Sequence, residues 1–301
     1  MAEADSPEGP FCNARQLPCG GIDPAVFVDD DGKAYYYWGQ IHSRGVCLNE
    51  DMVSFCKDNV VENLVTEEEH FFHEGSSMRK INGTYYYVFA DVERGKPTAL
   101  GYATSEHPLG PFQYRGIIID NAGCDPCTWN NHGSIECFQG QWYIFYHRSS
   151  RGTEQNRKLC MEPIYIEEDG TIREVKMTSQ GAGLPFAANQ AIMGYQACEL
   201  KGDIHIGPDL DGREKLLNIS DGDEAFFRYV QVTGQYTGII IEAQGQGTIE
   251  IFLNETWIGK IHVDNDIQRN NRIDFKQPGI FELKLRFVWP ADLRLWKIVL
   301  F

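Results

Sequence analysis

Two carboxylates sit where acid–base chemistry could use them. Asp23 lies in Gly20-Gly21-Ile22-Asp23-Pro24-Ala25-Val26-Phe27, at the entrance to a strand, and Glu74 lies in Phe71-Phe72-His73-Glu74-Gly75-Ser76-Ser77, just ahead of a hairpin signal. Glycoside hydrolysis needs such a pair: a carboxylic acid protonates the leaving oxygen, and a carboxylate activates water or stabilises charge. Taken singly each has an ordinary reading, since most Asp-Pro pairs are turns and most glutamates are solvated. Other motifs are weaker. His70-Phe71-Phe72-His73-Glu74 has the wrong order for a His-Glu-x-x-His zinc helix, and Asp29-Asp30-Asp31-Gly32 lacks the downstream ligands of a calcium loop and reads as a hairpin turn. Among nine cysteines, Cys124 and Cys127 form one Cys-x-x-Cys without a second pair, so the thiols read as free rather than as a zinc site.

The elements that must hold these carboxylates are repeated. One hairpin-like phrase occurs three times, as Asp31-Gly32-Lys33-Ala34-Tyr35-Tyr36-Tyr37, Asn82-Gly83-Thr84-Tyr85-Tyr86-Tyr87 and Gln139-Gly140-Gln141-Trp142-Tyr143-Ile144-Phe145, with glycines 51 and 57 residues apart. That is the period of a β-propeller blade. Gly9-Pro10-Phe11 and Gly110-Pro111-Phe112 form a second repeat, each followed by an Asp-Pro, Asp23-Pro24 and Asp125-Pro126. Propeller strands converge on a central channel, so acids at matching blade positions can face one another across a sugar-sized cavity. The first Gly-Pro-Phe has no blade phrase ahead of it, and the expectation is a chain that begins inside a propeller.

Strand signals run through Ala25–Val28, Ala34–Trp38, Tyr85–Phe89, Leu100–Ala103, Tyr114–Ile119, Gly133–Phe138, Trp142–Tyr146 and Leu159–Ile166, and no long segment sustains a helical period. Gly181-Ala182-Gly183-Leu184-Pro185 reads as a linker. Beyond it come Phe226–Val232, Tyr236–Ala243, Gly247–Asn254, Thr256–Val263, Gly279–Val288 and Leu293–Phe301, the pattern of an antiparallel β-sandwich. The expected fold is all-β: a partial five-bladed β-propeller over residues 1–185, then a β-sandwich over 193–301.

The 301 residues are 42% hydrophobic and 12% aromatic, with a net charge of −16. No basic cluster is present to neutralise phosphates, which argues against nucleic acid and anionic membranes as partners. No apolar run reaches membrane-spanning length. Met1-Ala2-Glu3-Ala4-Asp5 is acidic and lacks a signal core, so the chain as written is expected in the cytoplasm, or secreted if its start lies upstream.

Ile22-Asp23-Pro24-Ala25-Val26-Phe27-Val28-Asp29-Asp30-Asp31-Gly32-Lys33 resembles the second acidic motif of glycoside hydrolase family 43. His73-Glu74-Gly75-Ser76-Ser77-Met78-Arg79 resembles its general-acid motif. Asn130-Asn131-His132-Gly133-Ser134 with Trp142–Arg148 resembles its central-histidine blade. The motifs keep the family's order and cover roughly residues 5–178. The resemblance implies an inverting glycosidase of β-xylosidase or α-L-arabinofuranosidase type, acting on arabinose- or xylose-bearing polysaccharide fragments. Glu74 would be the general acid, with Asp23 orienting it and keeping it protonated. His132 would contact substrate, or calcium through water; Arg157 would face the sugar; Trp38 and Gln40 would line the pocket. No cofactor is required, and calcium is the one candidate ion.

The family's general base is an aspartate of an earlier Asp-Pro motif, for which only 22 residues precede Asp23. Either Asp23 is that base in a shifted alignment or the base is absent, and absence is the favoured expectation. Two alternatives follow: a non-catalytic carbohydrate-binding protein, and a fragment completed by a missing segment or partner chain. The C-terminal part resembles carbohydrate-binding module family 6 in Gly222–Tyr229 and Leu293–Ile298. That resemblance makes Phe227, Tyr229, Trp257 and Trp289 candidate sugar-stacking rings.

Overall fold

The computed structural model describes residues 1–150, 153–233, 238–265, 267–272 and 277–301. The expectation of an all-β chain holds: the one α-helix among the described residues, α1, is the single turn Glu67–His70. Two compact units divide the chain. The first comprises Met1–Ile118, His132–Glu136 and Glu167–Glu174; the second comprises Ile119–Asn131, Cys137–Ile166 and Val175–Phe301.

The first unit holds two antiparallel sheets. One is ordered β1 (Ala25–Val28), β2 (Ala34–Trp38), β3 (Arg44–Cys47). The other is ordered β4 (Phe72–Ile81), β5 (Thr84–Asp91), β6 (Ala99–Ser105), β7 (Gln113–Asp120). The tyrosine runs follow from the two-residue period of a strand buried on both faces. Tyr35 and Tyr37 of β2 join Tyr85, Tyr87 and Phe89 of β5 in one apolar cluster, with Tyr37 and Tyr87 ring centroids 5.3 Å apart. Tyr36 and Trp38 point the other way, into a cluster with Leu17, Val46, Leu48 and Phe55. Asp29-Asp30-Asp31-Gly32 closes the β1–β2 hairpin, as read from its composition, with Asp29 N–H donating to Lys33 O at 2.8 Å. Asn82 and Gly83 both have positive φ, 51° and 86°, the type I′ turn that matches strand twist between β4 and β5.

The division of the chain falls inside β8 (Ser134–Phe138). The second unit contains the antiparallel pair β9 (Gln141–Ser150) and β10 (Thr153–Ile164), in register from Trp142↔Ile164 to Arg157↔Ser149. Its large sheet contains β11 (Ala191–Met193), β12 (Glu199–Lys201), β13 (His205–Pro208), β14 (Glu214–Leu217), β15 (Glu224–Val232), β16 (Gly238–Leu253), β17 (Thr256–Asp264), β18 (Ile267–Arg272) and β19 (Gly279–Leu300). Four predicted strands become two. Gly247–Asn254 joins the preceding segment as β16, and Gly279–Val288 joins Leu293–Phe301 as β19. The sequence marks breaks there with Gly245, Gly247, Pro290 and Asp292. The structure instead absorbs them as register shifts between Gln244 and Thr248, opposite Ala291 and Val288. The predicted start at Tyr236 lies outside the described residues.

Candidate active site

Asp23 stands just ahead of β1 with φ 52°, a left-handed conformation that Asp tolerates better than most side chains. Glu74 lies within β4, the first strand of the hairpin that the sequence places after it. The β4–β5 ladder is broken on both sides of it, between Phe72↔Asp91 and Glu74↔Ala90 and again before Ser77↔Val88. Such bulges free a strand residue from strict alternation and re-aim its side chain. His132 follows Asn131 and precedes β8.

These three side chains meet. His132 Nε2 lies 2.8 Å from Glu74 Oε1 and 3.8 Å from Asp23 Oδ2. The Glu74 side chain is 12% exposed, and its second oxygen, Oε2, accepts a 2.8 Å hydrogen bond from Gln40 Nε2. Asp23 Oδ2 is buried without a hydrogen bond of its own. Below the site, Tyr87 OH donates to Ser76 Oγ at 2.7 Å and meets Ser43 Oγ. Burial pushes the Tyr87 phenol up to about 12, so it remains a neutral hydroxyl between the chain after β2 and the β4 bulge.

Residues 1–172, more than half the chain, match the family model "Glycosyl hydrolases family 43". The chain belongs to glycoside hydrolase family 43.

Among the similar proteins is a xylosidase/arabinosidase of Thermoclostridium stercorarium, 32% identical over 294 residues, covering 80% of this chain and 60% of that protein. A family 43 β-xylosidase/α-arabinofuranosidase from a compost metagenome, solved with xylotriose in a calcium-free form, is 32% identical with a TM-score of 0.51. It covers 58% of this chain and 64% of its own. An arabinoxylan arabinofuranohydrolase from Bacillus subtilis, solved with cellotetraose, aligns with 99% of this chain and 73% of its own. At 22% identity and a TM-score of 0.52 it shows likeness of fold alone. The chain spans 60% and 65% of the lengths of the first two curated relatives, the second a β-xylosidase of Xylanibacter ruminicola.

Trp38 is buried, its ring 5.1 Å from Tyr36 and 6.0 Å from Phe55, so it is core. Arg157 is exposed on β10, opposite Ser149, in the second unit. Phe227 is fully buried in the second unit's core and offers no stacking face, because β15 turns it inward; Tyr229 is half-buried. Trp257 and Trp289 are 54% and 80% exposed. The two histidines before Glu74 are committed elsewhere. His70 is buried between Thr66 N–H and Phe112 O, while His73 pairs with Glu67 at 3.1 Å.

Asp23, Glu74 and His132 are also the one group of metal-ligating type among the described residues, with ligand atoms all within 4.8 Å of one another. Calcium takes about six to eight oxygen ligands. Two carboxylates and an imidazole, with both Glu74 oxygens already engaged in hydrogen bonds, do not fit direct calcium ligation. Gln40, expected to line the pocket, bonds the acid itself, a contact that leaves no signal in spacing or composition.

Proposed function

We propose that this chain hydrolyses O-glycosidic bonds of xylose- or arabinose-bearing oligosaccharides, with Glu74 as the general acid. One observation carries the reading: in a family 43 chain, a largely buried glutamate is gripped by His132 and Gln40 beside a second carboxylate. Burial and two fixed hydrogen-bond partners give the carboxyl one orientation, which proton delivery to a glycosidic oxygen requires. The name of the Thermoclostridium relative joins both pentose activities, and the compost enzyme was solved with xylotriose, which supports a pentose substrate.

The inverting reading assigns Asp23 a supporting role. Inverting acid–base pairs stand about 6.5–9.5 Å apart, so that water fits between the sugar and the base. Asp23 and Glu74 offer oxygens within 4.8 Å of each other. Asp23 therefore acts on Glu74 and His132 and not as the water-activating base. In the same reading the β1–β3 and β4–β7 sheets are successive propeller blades. The C-terminal strands form a sandwich whose exposed Trp257 and Trp289 are its candidate sugar contacts. The short Asp23–Glu74 spacing also favours a second reading, pentose binding without turnover.

The deciding experiment is hydrolysis of aryl β-D-xyloside and aryl α-L-arabinofuranoside by the 301-residue chain, with Glu74→Gln as control and calorimetric titration of xylotriose alongside. Turnover lost in Glu74→Gln is the expected result. Turnover that survives the substitution removes Glu74 from the acid role. Xylotriose binding without turnover selects the second reading.

A further inference from the structure

A short segment links the two acidic positions. Gly39 N–H donates to Ile22 O at 3.0 Å, next to Asp23, and Ile41 N–H donates to His73 O at 2.7 Å, next to Glu74. Ile41 O in turn accepts Glu67 N–H at 2.9 Å. Gly39 and Ile41 both have positive φ, 129° and 64°. At Gly39 no other residue fits, since a Cβ there would lie 2.3 Å from His42 O. Between these anchors Gln40 carries its amide to Glu74 Oε2. The segment is thus a staple, bonded to the backbone beside each carboxylate and to the side chain of one.

Resting on the acid role of Glu74, we propose that Gln40 is a positioning residue that decides which Glu74 oxygen delivers the proton. Its N–H faces Oε2, so a proton on Oε2 would meet a second hydrogen there. When Glu74 acts as the acid, its proton is therefore placed on Oε1, the oxygen 2.8 Å from His132 Nε2. On reaction the glycosidic oxygen takes that proton and keeps the electron pair of the breaking C1–O bond. Water adds its oxygen at C1 and loses one proton to the surrounding solvent. Glu74 is left as a carboxylate, and the Gln40 amide bond strengthens as that charge develops. An interaction that grows along the reaction coordinate acts on the chemical step more than on binding.

The test is a leaving-group series of aryl and alkyl β-D-xylosides and α-L-arabinofuranosides with the full chain and Gln40→Met, a change at an exposed position that keeps the side chain's length. With poor leaving groups, which need the proton, kcat should fall about tenfold while KM stays near its original value, the scale of one lost hydrogen bond to a charged group. Dinitrophenyl substrates, which depart unprotonated, should keep their rate. An equal loss across the series, or none, overturns the proposal. A wild-type chain that hydrolyses nothing defeats the hydrolase reading separately. In that case glutamine-selective 15N spectra decide. A Gln40 side-chain amide signal, assigned by its loss in Gln40→Met, that moves in Glu74→Gln supports the clamp. A signal indifferent to Glu74→Gln overturns it.

Discussion

Asp91 should make the first unit less stable as pH rises toward neutrality, and Asp91→Asn should remove that dependence. Asp91 ends β5 opposite Phe72, in the ladder that carries Glu74, and is wholly buried. Its Oδ1 accepts Glu93 N–H and its Oδ2 accepts Tyr114 OH, each at 2.8 Å. Burial pushes the carboxyl up to about 6 from 3.8, against the pull of those two bonds. The folded unit thus holds a proton that the unfolded chain releases at lower pH. Stability from this group is fully present below about pH 3.8 and is lost as pH rises through about 6. A shift of about two units corresponds to about 3 kcal/mol. Asparagine has no charge to desolvate. Its oxygen can still accept Glu93 N–H, and Tyr114 OH can donate instead to Glu93 Oε2, 3.3 Å away. The assay is hydrogen exchange of β5 and β6 amides between pH 4 and 8, corrected for intrinsic rates and read as local opening free energy. Wild type should lose about 2 kcal/mol over that range relative to Asp91→Asn, with the difference concentrated between pH 4 and 7. Parallel pH profiles for the two proteins would refute the argument that burial, rather than the two hydrogen bonds, governs this carboxyl.

Three further substitutions probe the staple beside Glu74 and the second unit. Gly39→Ala imposes a side chain at φ 129° with its Cβ 2.3 Å from His42 O. It should destabilise the first unit by about 1–3 kcal/mol and weaken turnover by moving Gln40, measured by exchange of β2 and β3 amides beside steady-state kinetics. Phe227→Ala should cost about 3–5 kcal/mol in urea unfolding, through the cavity it leaves in the second unit. Trp289→Ala, at an 80% exposed ring, should stay within about 0.5 kcal/mol while testing sugar retention on xylan in affinity electrophoresis.

The fold was most legible where burial and turn chemistry agree. The edges of β1 and β2 fall where the sequence places them, because Asp29–Lys33 must turn and the tyrosines of β2 must bury. β4 was illegible for the opposite reason. Phe72–Ile81 contains Glu, Gly, two Ser, Arg and Lys, a composition with weak strand preference, and its first half is bulged. That bulge also aims Glu74, so the feature that hid the strand helps build the site. Phe227 shows the limit of reading aromatics by type: the sequence offers Phe227 and Trp289 as equal stacking candidates, yet strand orientation buries one and exposes the other.

The site itself was legible in its charged members and not in what fixes them. Asp23, Glu74 and His132 sit in motifs whose order and neighbours mark them, and the structure brings all three within 4.8 Å. Gln40 and Glu74 are 34 residues apart and joined by one side-chain bond, which imposes no period on the sequence. The backbone of the staple is more constrained than its side chain. Gly39 admits no Cβ, and Ile41 is bonded at both N–H and C=O, whereas Gln40 is exposed. Packing therefore leaves position 40 open to many residues. Only a group able to donate to Oε2 completes the grip on Glu74, so a glutamine at this otherwise permissive position is explained by the acid it holds and not by the fold.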